Sequence, residues 1–518
     1  MGKSLIDALQ NPALYAHPVG EFRVVETHIS WILLTGLYAY KIKKPVNLGF
    51  VDFSTLEKRR HYCQEELRLN RRLAPELYVG VVGIGGTPQW PTLEVRSGAM
   101  EYAVKMVQFD DSQRLDHLLE SRQLTSGHID QLADRLAAFH NDIEMAPEGS
   151  DFGTPEAVYE PIEENFTQIG PLATNQNDRE LLQQLRQWSG TAFEQLQDTI
   201  AARKHGGYVR ECHGDAHLAN MVLIEDEVVL FDCLEFNARL RWIDVISEIA
   251  FCVMDLDDRE RADLAARLLD RYLQRSGDYA GLALLRFYQV YRAMVRAKVA
   301  AIRASQLDGA ARNEAVKQYR LYTGLAQRYS QSSKTLLVIT YGLSGSGKST
   351  IAQEMLQQLP FIRLRSDVER KRLFGLALDD SSDATRADEI YGRDANRDTF
   401  DRLEQLARVV LAAGFAVIVD ATFLRQEERN RFRRCAEEFS VPYRILSVEV
   451  SEPVARDRIR KRQQAGDDAS EASLEVLTRQ LQLREPLTSA EQEFVLRVNN
   501  GGALDPGDIL ATLKAFFN

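Results

Sequence analysis

The segment Gly342-Leu343-Ser344-Gly345-Ser346-Gly347-Lys348-Ser349 constrains this chain more than any other feature. It has the spacing GxxxxGK[ST], follows the apolar, β-branched run Thr335–Tyr341 and precedes a stretch patterned as a helix. Glycines let backbone N–H groups wrap an anion without Cβ clashes. The positive end of the following helix adds to that cradle. A buried parallel strand, a phosphate loop and a helix in this order belong to an α/β sheet. The spacing gives Lys348 the β- and γ-phosphates and Ser349 a Mg²⁺ ion. Gly342, Ser344, Gly345, Ser346, Gly347 and Thr350 complete the expected nucleotide cradle.

Beyond the loop, strand and helix patterns alternate through Phe361–Leu364, Thr399–Ala413, Ala416–Val419, Glu427–Phe439 and Tyr443–Val450. Such alternation argues for a parallel, three-layered sheet. Val417-Ile418-Val419-Asp420 is an apolar strand ending in a carboxylate, so Asp420 is the expected partner of Ser349 at Mg²⁺. Asp367 follows the next strand, at the edge where open α/β sheets bind ligands. It is placed to take a proton from an attacking hydroxyl, or else to cap the helix after it. Arg370 either holds substrate or is solvated. In the basic run Arg456, Arg458, Arg460, Lys461 and Arg462, the spacing of four puts Arg458 and Arg462 on one helix face. Such arginines can neutralise a transferring phosphoryl group, although a charge run is also an ordinary solvated face. Gly466–Ser470 reads as a lid. GLSGSGKST, RSDVER and VIVDATF together resemble the small P-loop kinases related to gluconate kinase, zeta toxin and polynucleotide kinase, over about residues 335–518. The resemblance implies ATP as donor, Asp367 at the acceptor hydroxyl and lid arginines on the phosphates.

The first half carries a different constellation. His213-Gly214-Asp215-Ala216-His217-Leu218-Ala219-Asn220 sets an Asp five residues before an Asn, and Asp232 stands twelve residues further on, after the strand Val228–Phe231. A kinase catalytic loop has this logic: Asp215 as base, Asn220 and Asp232 holding Mg²⁺ against a triphosphate. His213 reads as a residue that bonds backbone around the loop; His217 is open. HGDAHLAN with LFDCLEF resembles the aminoglycoside-phosphotransferase-like kinases, a family that includes choline kinases on a protein-kinase-like fold, over about residues 20–325. That resemblance implies a strand lysine and a helix glutamate positioning phosphates. Lys41 and Glu66 are the pair of choice, with Lys43 and Glu65 as fallbacks. It also implies an adenine hinge near Lys105–Val107 and a loop-bracing role for Asp244. Two features depart from the family: Glu26–Ser30 stands where a glycine-rich turn is expected, and Leu240–Asp244 replaces the usual GDP-type segment.

The remaining sequence sets limits. A polar break at Gln331–Lys334 separates a helical stretch, Leu285–Tyr329, from the P-loop strand, which places domains at 1–331 and 332–518. The expected fold is therefore an N-terminal α+β bilobal, protein-kinase-like domain joined to a C-terminal α/β P-loop domain. The tandem resembles bacterial two-domain proteins joining these two kinase types. The chain has 64 Lys+Arg against 75 Asp+Glu, a net charge of −11, which disfavours a dedicated nucleic-acid binder. Its 5 cysteines show no zinc-like spacing and read as buried thiols of a reducing compartment. The N-terminus has no apolar secretion signal, and the longest apolar run, Val409–Val419, is too short to span a bilayer. The expectation is a cytoplasmic, bifunctional, Mg²⁺- and ATP-dependent kinase acting on one small-molecule hydroxyl acceptor per domain. The alternative makes the first half a metabolite-sensing module that gates a kinase for polynucleotide ends or nucleotide sugars. Oligomeric state is not legible.

Overall fold

The computed structural model describes residues 2–47, 49, 51–173, 175–332, 334–378, 380, 392–465, 473–500 and 507–517. The lid expected at Gly466–Ser470 lies outside these. By packing, the chain divides into two compact units, residues 1–168 with 193–255 and residues 169–192 with 256–518. The break read at 331/332 falls inside the second unit.

The first unit opens with a six-stranded antiparallel sheet in the order β1 (Arg23–Glu26), β2 (Ser30–Leu34), β3 (Tyr38–Lys43), β6 (Glu101–Val107), β4 (Tyr78–Gly86), β5 (Pro91–Leu93). β2 and β3 form a hairpin turned at Gly36, with φ +96°. β4 escaped the sequence reading because its run YVGVVGIGG looks like a breaker. Those glycines have a packing role: a Cβ on Gly83 would sit 2.7 Å from the Val95 carbonyl. The helix Leu56–Asn70 is capped by the Thr55 side chain, which accepts from the Lys58 amide, and it buries Cys63, Glu66, Leu69 and Asn70. Two short hairpin-like pairs, β7 (Val209–Glu211) with β10 (Trp242–Asp244) and β8 (Met221–Ile224) with β9 (Glu227–Leu230), carry the catalytic-loop candidate. Helices Leu115–Glu120, Ser126–Asp142 and Pro155–Ile169 follow the sheet, and the helix Gln176–His205 is shared between the two units.

The second unit is built on an all-parallel sheet in the order β12 (Phe361–Arg365), β13 (Ala416–Asp420), β11 (Leu337–Tyr341), β14 (Tyr443–Glu449), β15 (Val495–Asn499). β11 and β13 are buried along their whole length, as a sheet covered on both faces requires. Leu336, Val338, Ile351, Met355, Ile418, Leu446 and Leu513 form one continuous core. The helix read over Leu285–Tyr329 is two helices, Leu282–Ser305 and Gly309–Ser330, because Gly309 takes a left-handed φ of +59°. A further helix, Ala262–Ser276, packs on β12. Its Asp270 pairs with Arg363 at 2.6 Å with both side chains buried, and its Gln274 carbonyl accepts from Arg372 at 2.6 Å. Among the described residues no helix is long and apolar enough to cross a membrane.

Candidate active sites

In the second unit β11 ends at the phosphate loop, and the helix Lys348–Gln358 begins at its far end. Gly345 and Gly347 have φ of +79° and +91°. Side chains there have no room either: a Cβ on Gly345 would lie 2.6 Å from the Ala455 carbonyl, and one on Gly347 would strike the Asn500 amide. The hydroxyl of Ser346 is buried without a hydrogen-bond partner. The amides of Lys348, Ser349 and Thr350 open the helix and have no acceptor within it. Ser344 lines the cavity beside the loop, and Gln480 accepts from its amide at 2.8 Å and donates to its hydroxyl at 2.9 Å. Lys348 is buried and donates to the Leu343 carbonyl at 2.9 Å. Burial pushes its pKa down to about 8 against the pull of Asp420 and Asp367.

The loop faces a cavity of about 320 Å³. Asp420, at the end of β13, and Asp367, in the first turn of the helix Ser366–Leu373, both line it. Parallel β12 and β13 put Arg365 opposite Asp420, so both carboxylates arrive at the carboxyl edge of the sheet. Arg458 and Arg462 line the cavity from the helix Glu452–Ala465. Arg458 also donates to the carbonyls of Ser346 and Asn500, clamping the loop. Arg456 and Lys461 instead pair with Glu452 and Asp457 on the exposed side of that helix. The basic run is thus two residues on the cavity and a solvated remainder. Arg370 reaches Asp367 at 3.4 Å. Asn396, Glu428 and Gln480, which also line the cavity, belong to no motif and only tertiary packing brings them there.

In the first unit Lys41 and Lys43 are two residues apart on β3 and therefore share a face. Both reach the buried Glu66: Lys41 at 2.8 Å to one oxygen, Lys43 at 2.7 Å to the other. Lys41 is also paired with Asp232, and Lys43 with Glu235. Burial opposes the charge on Glu66, but Lys41 and Lys43 hold its pKa down at about 2. Glu65, one position round the helix, faces Arg68 at 2.9 Å instead. Asn220 donates to the carboxylate of Asp215 at 2.9 Å and to its carbonyl at 3.0 Å. The Asn220 carbonyl accepts from the Phe231 amide at 3.0 Å, which ties the loop to the residue before Asp232. His213 places both ring nitrogens on backbone, at Phe231 and Asp215, and His217 lies 3.4 Å from the Asp215 carboxylate. Asp232 has a left-handed φ of +62°. Lys105–Val107, read as a hinge, forms the end of β6. The turn Glu26–Ser30 is closed by Thr27, whose hydroxyl accepts from the Ser30 amide at 2.9 Å.

The bracing expected of Asp244 falls elsewhere. Asp244 is held by Arg203 at 2.6 and 2.8 Å, away from the loop. The helix Val245–Asp258 does the bracing from one face. Glu248 accepts from the Gly214 amide at 2.7 Å, Cys252 donates to the Ala216 carbonyl, and Asp255 accepts from the Leu218 amide at 2.9 Å. The spacing 248, 252, 255 is a helical i, i+4, i+7 pattern, a signal present in the sequence but not tied to the loop. Glu248 is fully buried. Burial would raise its pKa, but His140, 2.8 Å away, then His213 and the Gly214 amide hold it down at about 2. A carboxylate whose folded pKa lies below its ordinary 4.5 adds stability that is fully present above that value and is lost as pH falls towards 2. The gap corresponds to ~3 kcal/mol. Glu248→Gln is expected to be less stable at pH 7 and to lose less further stability between pH 5 and about 2.5 than the natural chain. Parallel acid-unfolding profiles for the two proteins would contradict this.

Residues 59–285 match the model of a phosphotransferase enzyme family, and residues 337–487 match that of an AAA domain. The protein Rv2004c of Mycobacterium tuberculosis and the protein Mb2027c of Mycobacterium bovis, both described as uncharacterised, are 30% identical to this chain over 458 residues, 88% of this chain and 90% of each of them. The chain belongs to their family. This chain joins a phosphotransferase-type domain of kinase-like fold to a P-loop domain on a parallel sheet. Solved structures it is similar to include a choline/ethanolamine kinase family protein from Mesorhizobium loti, at 10% identity and a TM-score of 0.40 over 63% of this chain and 97% of that one. A putative kinase from Chloroflexus aurantiacus is 18% identical, with a TM-score of 0.30 over 36% of this chain and 100% of that one. At these scores the likenesses carry no argument about function.

Proposed function

We propose that this chain is a bifunctional, ATP-dependent phosphotransferase in which each unit passes the γ-phosphate to a hydroxyl of a small molecule. The observation that carries the reading is that groups far apart in sequence meet in each unit: Lys348, Asp367 and Asp420 around one cavity, and Asp215 with Asn220 beside the Lys41–Glu66–Asp232 cluster. The glycine cradle and the orphaned Ser346 hydroxyl fit an anionic phosphate. Asp420 with Ser349, and Asn220 with Asp232, are sets of hard oxygen donors that fit Mg²⁺. In the first unit Lys41 and Lys43 stand against Glu66, Asp232 and Glu235, an excess of one negative charge that suits a cation. Bound there, Mg²⁺ would neutralise charge on the triphosphate. Asp215 and Asp367 would each accept the proton of the attacking hydroxyl, and Lys348, Arg458 and Arg462 would gather the phosphates.

The test incubates the intact chain with γ-labelled ATP, Mg²⁺ and a pool of small metabolites. Label on at least one soluble small molecule is expected; label that stays in ATP and inorganic phosphate alone would sink the reading. A second reading, in which the first unit senses a metabolite and gates the other, draws on one feature: Lys41 already neutralises Asp232. Calorimetric titration of Mg·ATP into the Lys348→Ala chain separates the two, because a kinase leaves the first unit's site at its natural affinity whereas a sensor leaves only the weakened P-loop site.

A further inference from the structure

The wall of the P-loop cavity that faces the loop is a relay of polar side chains from three helices. Arg370, on Ser366–Leu373, donates to Asp367 at 3.4 Å and to the amide oxygen of Asn396 at 3.3 Å. Asn396, on Arg393–Ala412, donates to Glu428 at 3.2 Å. Glu428, on Gln426–Glu438, takes the Arg425 amide on its other oxygen at 3.4 Å. All four side chains line the cavity. These bonds are long, and each carboxylate oxygen has a further lone pair, so hydroxyl donors can join or replace them. The buried ring of Phe400 adds an apolar surface beside the relay.

The charges on the relay nearly balance. Lys348, Arg458 and Arg462 line the cavity from the phosphate loop and the helix Glu452–Ala465, whereas the relay brings two carboxylates, Asp367 and Glu428, together with two guanidiniums, Arg370 and Arg425. A second anion brought to that wall would meet Glu428 and Asp367. A neutral molecule rich in hydroxyls would find acceptors for its hydrogens and a donor for its oxygens. We propose that Asn396 and Glu428 set the acceptor specificity of this unit, holding a neutral polyhydroxylated molecule, a sugar or polyol, with one hydroxyl at Asp367. This rests on the kinase reading of the P-loop unit. No covalent step beyond that transfer is involved.

The experiment uses the full chain carrying Asp215→Asn, so that label transfer reports on the P-loop unit. The probes are D-ribose, D-glucose, glycerol and myo-inositol, with a 5′-hydroxyl RNA decamer as the anionic alternative. Label on at least one polyol is expected. Glu428→Gln preserves the shape of the side chain and its helix cap, and should raise the KM for that polyol by about tenfold or more, the loss of one charged hydrogen bond, while kcat moves less than about threefold. Asn396→Ala should show the same split, which a merely structural role would not produce. An unchanged acceptor KM in both variants, label on RNA alone, or label on none of the probes would each overturn the proposal. Calorimetry with Mg·ATP on this chain with and without Lys348→Ala distinguishes the failures: ATP binding that weakens with Lys348→Ala but no polyol labelled defeats the acceptor assignment alone, and ATP binding that does not depend on Lys348 defeats the kinase reading with it.

Discussion

Asp215→Asn is expected to lower phosphoryl transfer by the first unit roughly 10³-fold, equivalent to ~4 kcal/mol of barrier. The substitution is nearly isosteric. An asparagine oxygen can still accept from Asn220, which now binds both the side chain and the carbonyl of residue 215. The loop remains braced at Gly214, Ala216 and Leu218 by Glu248, Cys252 and Asp255. What disappears is the capacity to take a proton from the acceptor hydroxyl. Nucleotide affinity should therefore change little while kcat collapses, since base and metal-holding residues act as a unit. The measurement is label transfer to the first unit's own acceptor, because the P-loop unit continues to consume ATP. Transfer at the natural rate would remove Asp215 from the chemistry.

Lys348→Ala is expected to lower ATP turnover at the P-loop by roughly 10²- to 10³-fold and to weaken nucleotide binding as well. Among the described residues Lys348 supplies the one ammonium lining the cavity, with Asp420, Asp367 and Arg462 close enough to act on its charge. Its burial already works against its charge, so an arriving triphosphate gains a counter-ion and offsets that burial. Alanine leaves a void under the loop and removes the donor on the Leu343 carbonyl. Lys348→Met fills that void without charge and serves as the folding control. Retained circular dichroism with turnover lost in both variants is the expected outcome; full turnover in either would exclude the lysine from catalysis. The intact chain is the right material. A fragment starting at residue 332 would discard Asp270 and leave the guanidinium of Arg363 buried without its carboxylate.

Much of each site could be read from order alone. A phosphate loop is a local object: its glycines, lysine and helix start are consecutive, so the sequence contains nearly the whole cradle. The same holds for Asp215 and Asn220, which one turn of loop brings within hydrogen-bond reach. Alternation of strand and helix implied the parallel sheet for the same reason. Reading failed where contacts are long-range. The family resemblance assigns the brace to Asp244, yet Arg203 holds it and three residues of the next helix hold the loop. Lys41, ranked ahead of Lys43 from the sequence, shares Glu66 with it, since a two-residue period gives both the same face.

By itself, then, the sequence determined the local pieces: two candidate phosphate-handling motifs, the strands that precede them and the residue types the proposed chemistry needs. The tertiary structure decided which distant side chains complete them. Gln480 on Ser344, Arg458 on the loop carbonyls, and Asn396 with Glu428 across the cavity come from helices whose approach is fixed by packing against the sheet, and no spacing along the chain encodes that meeting.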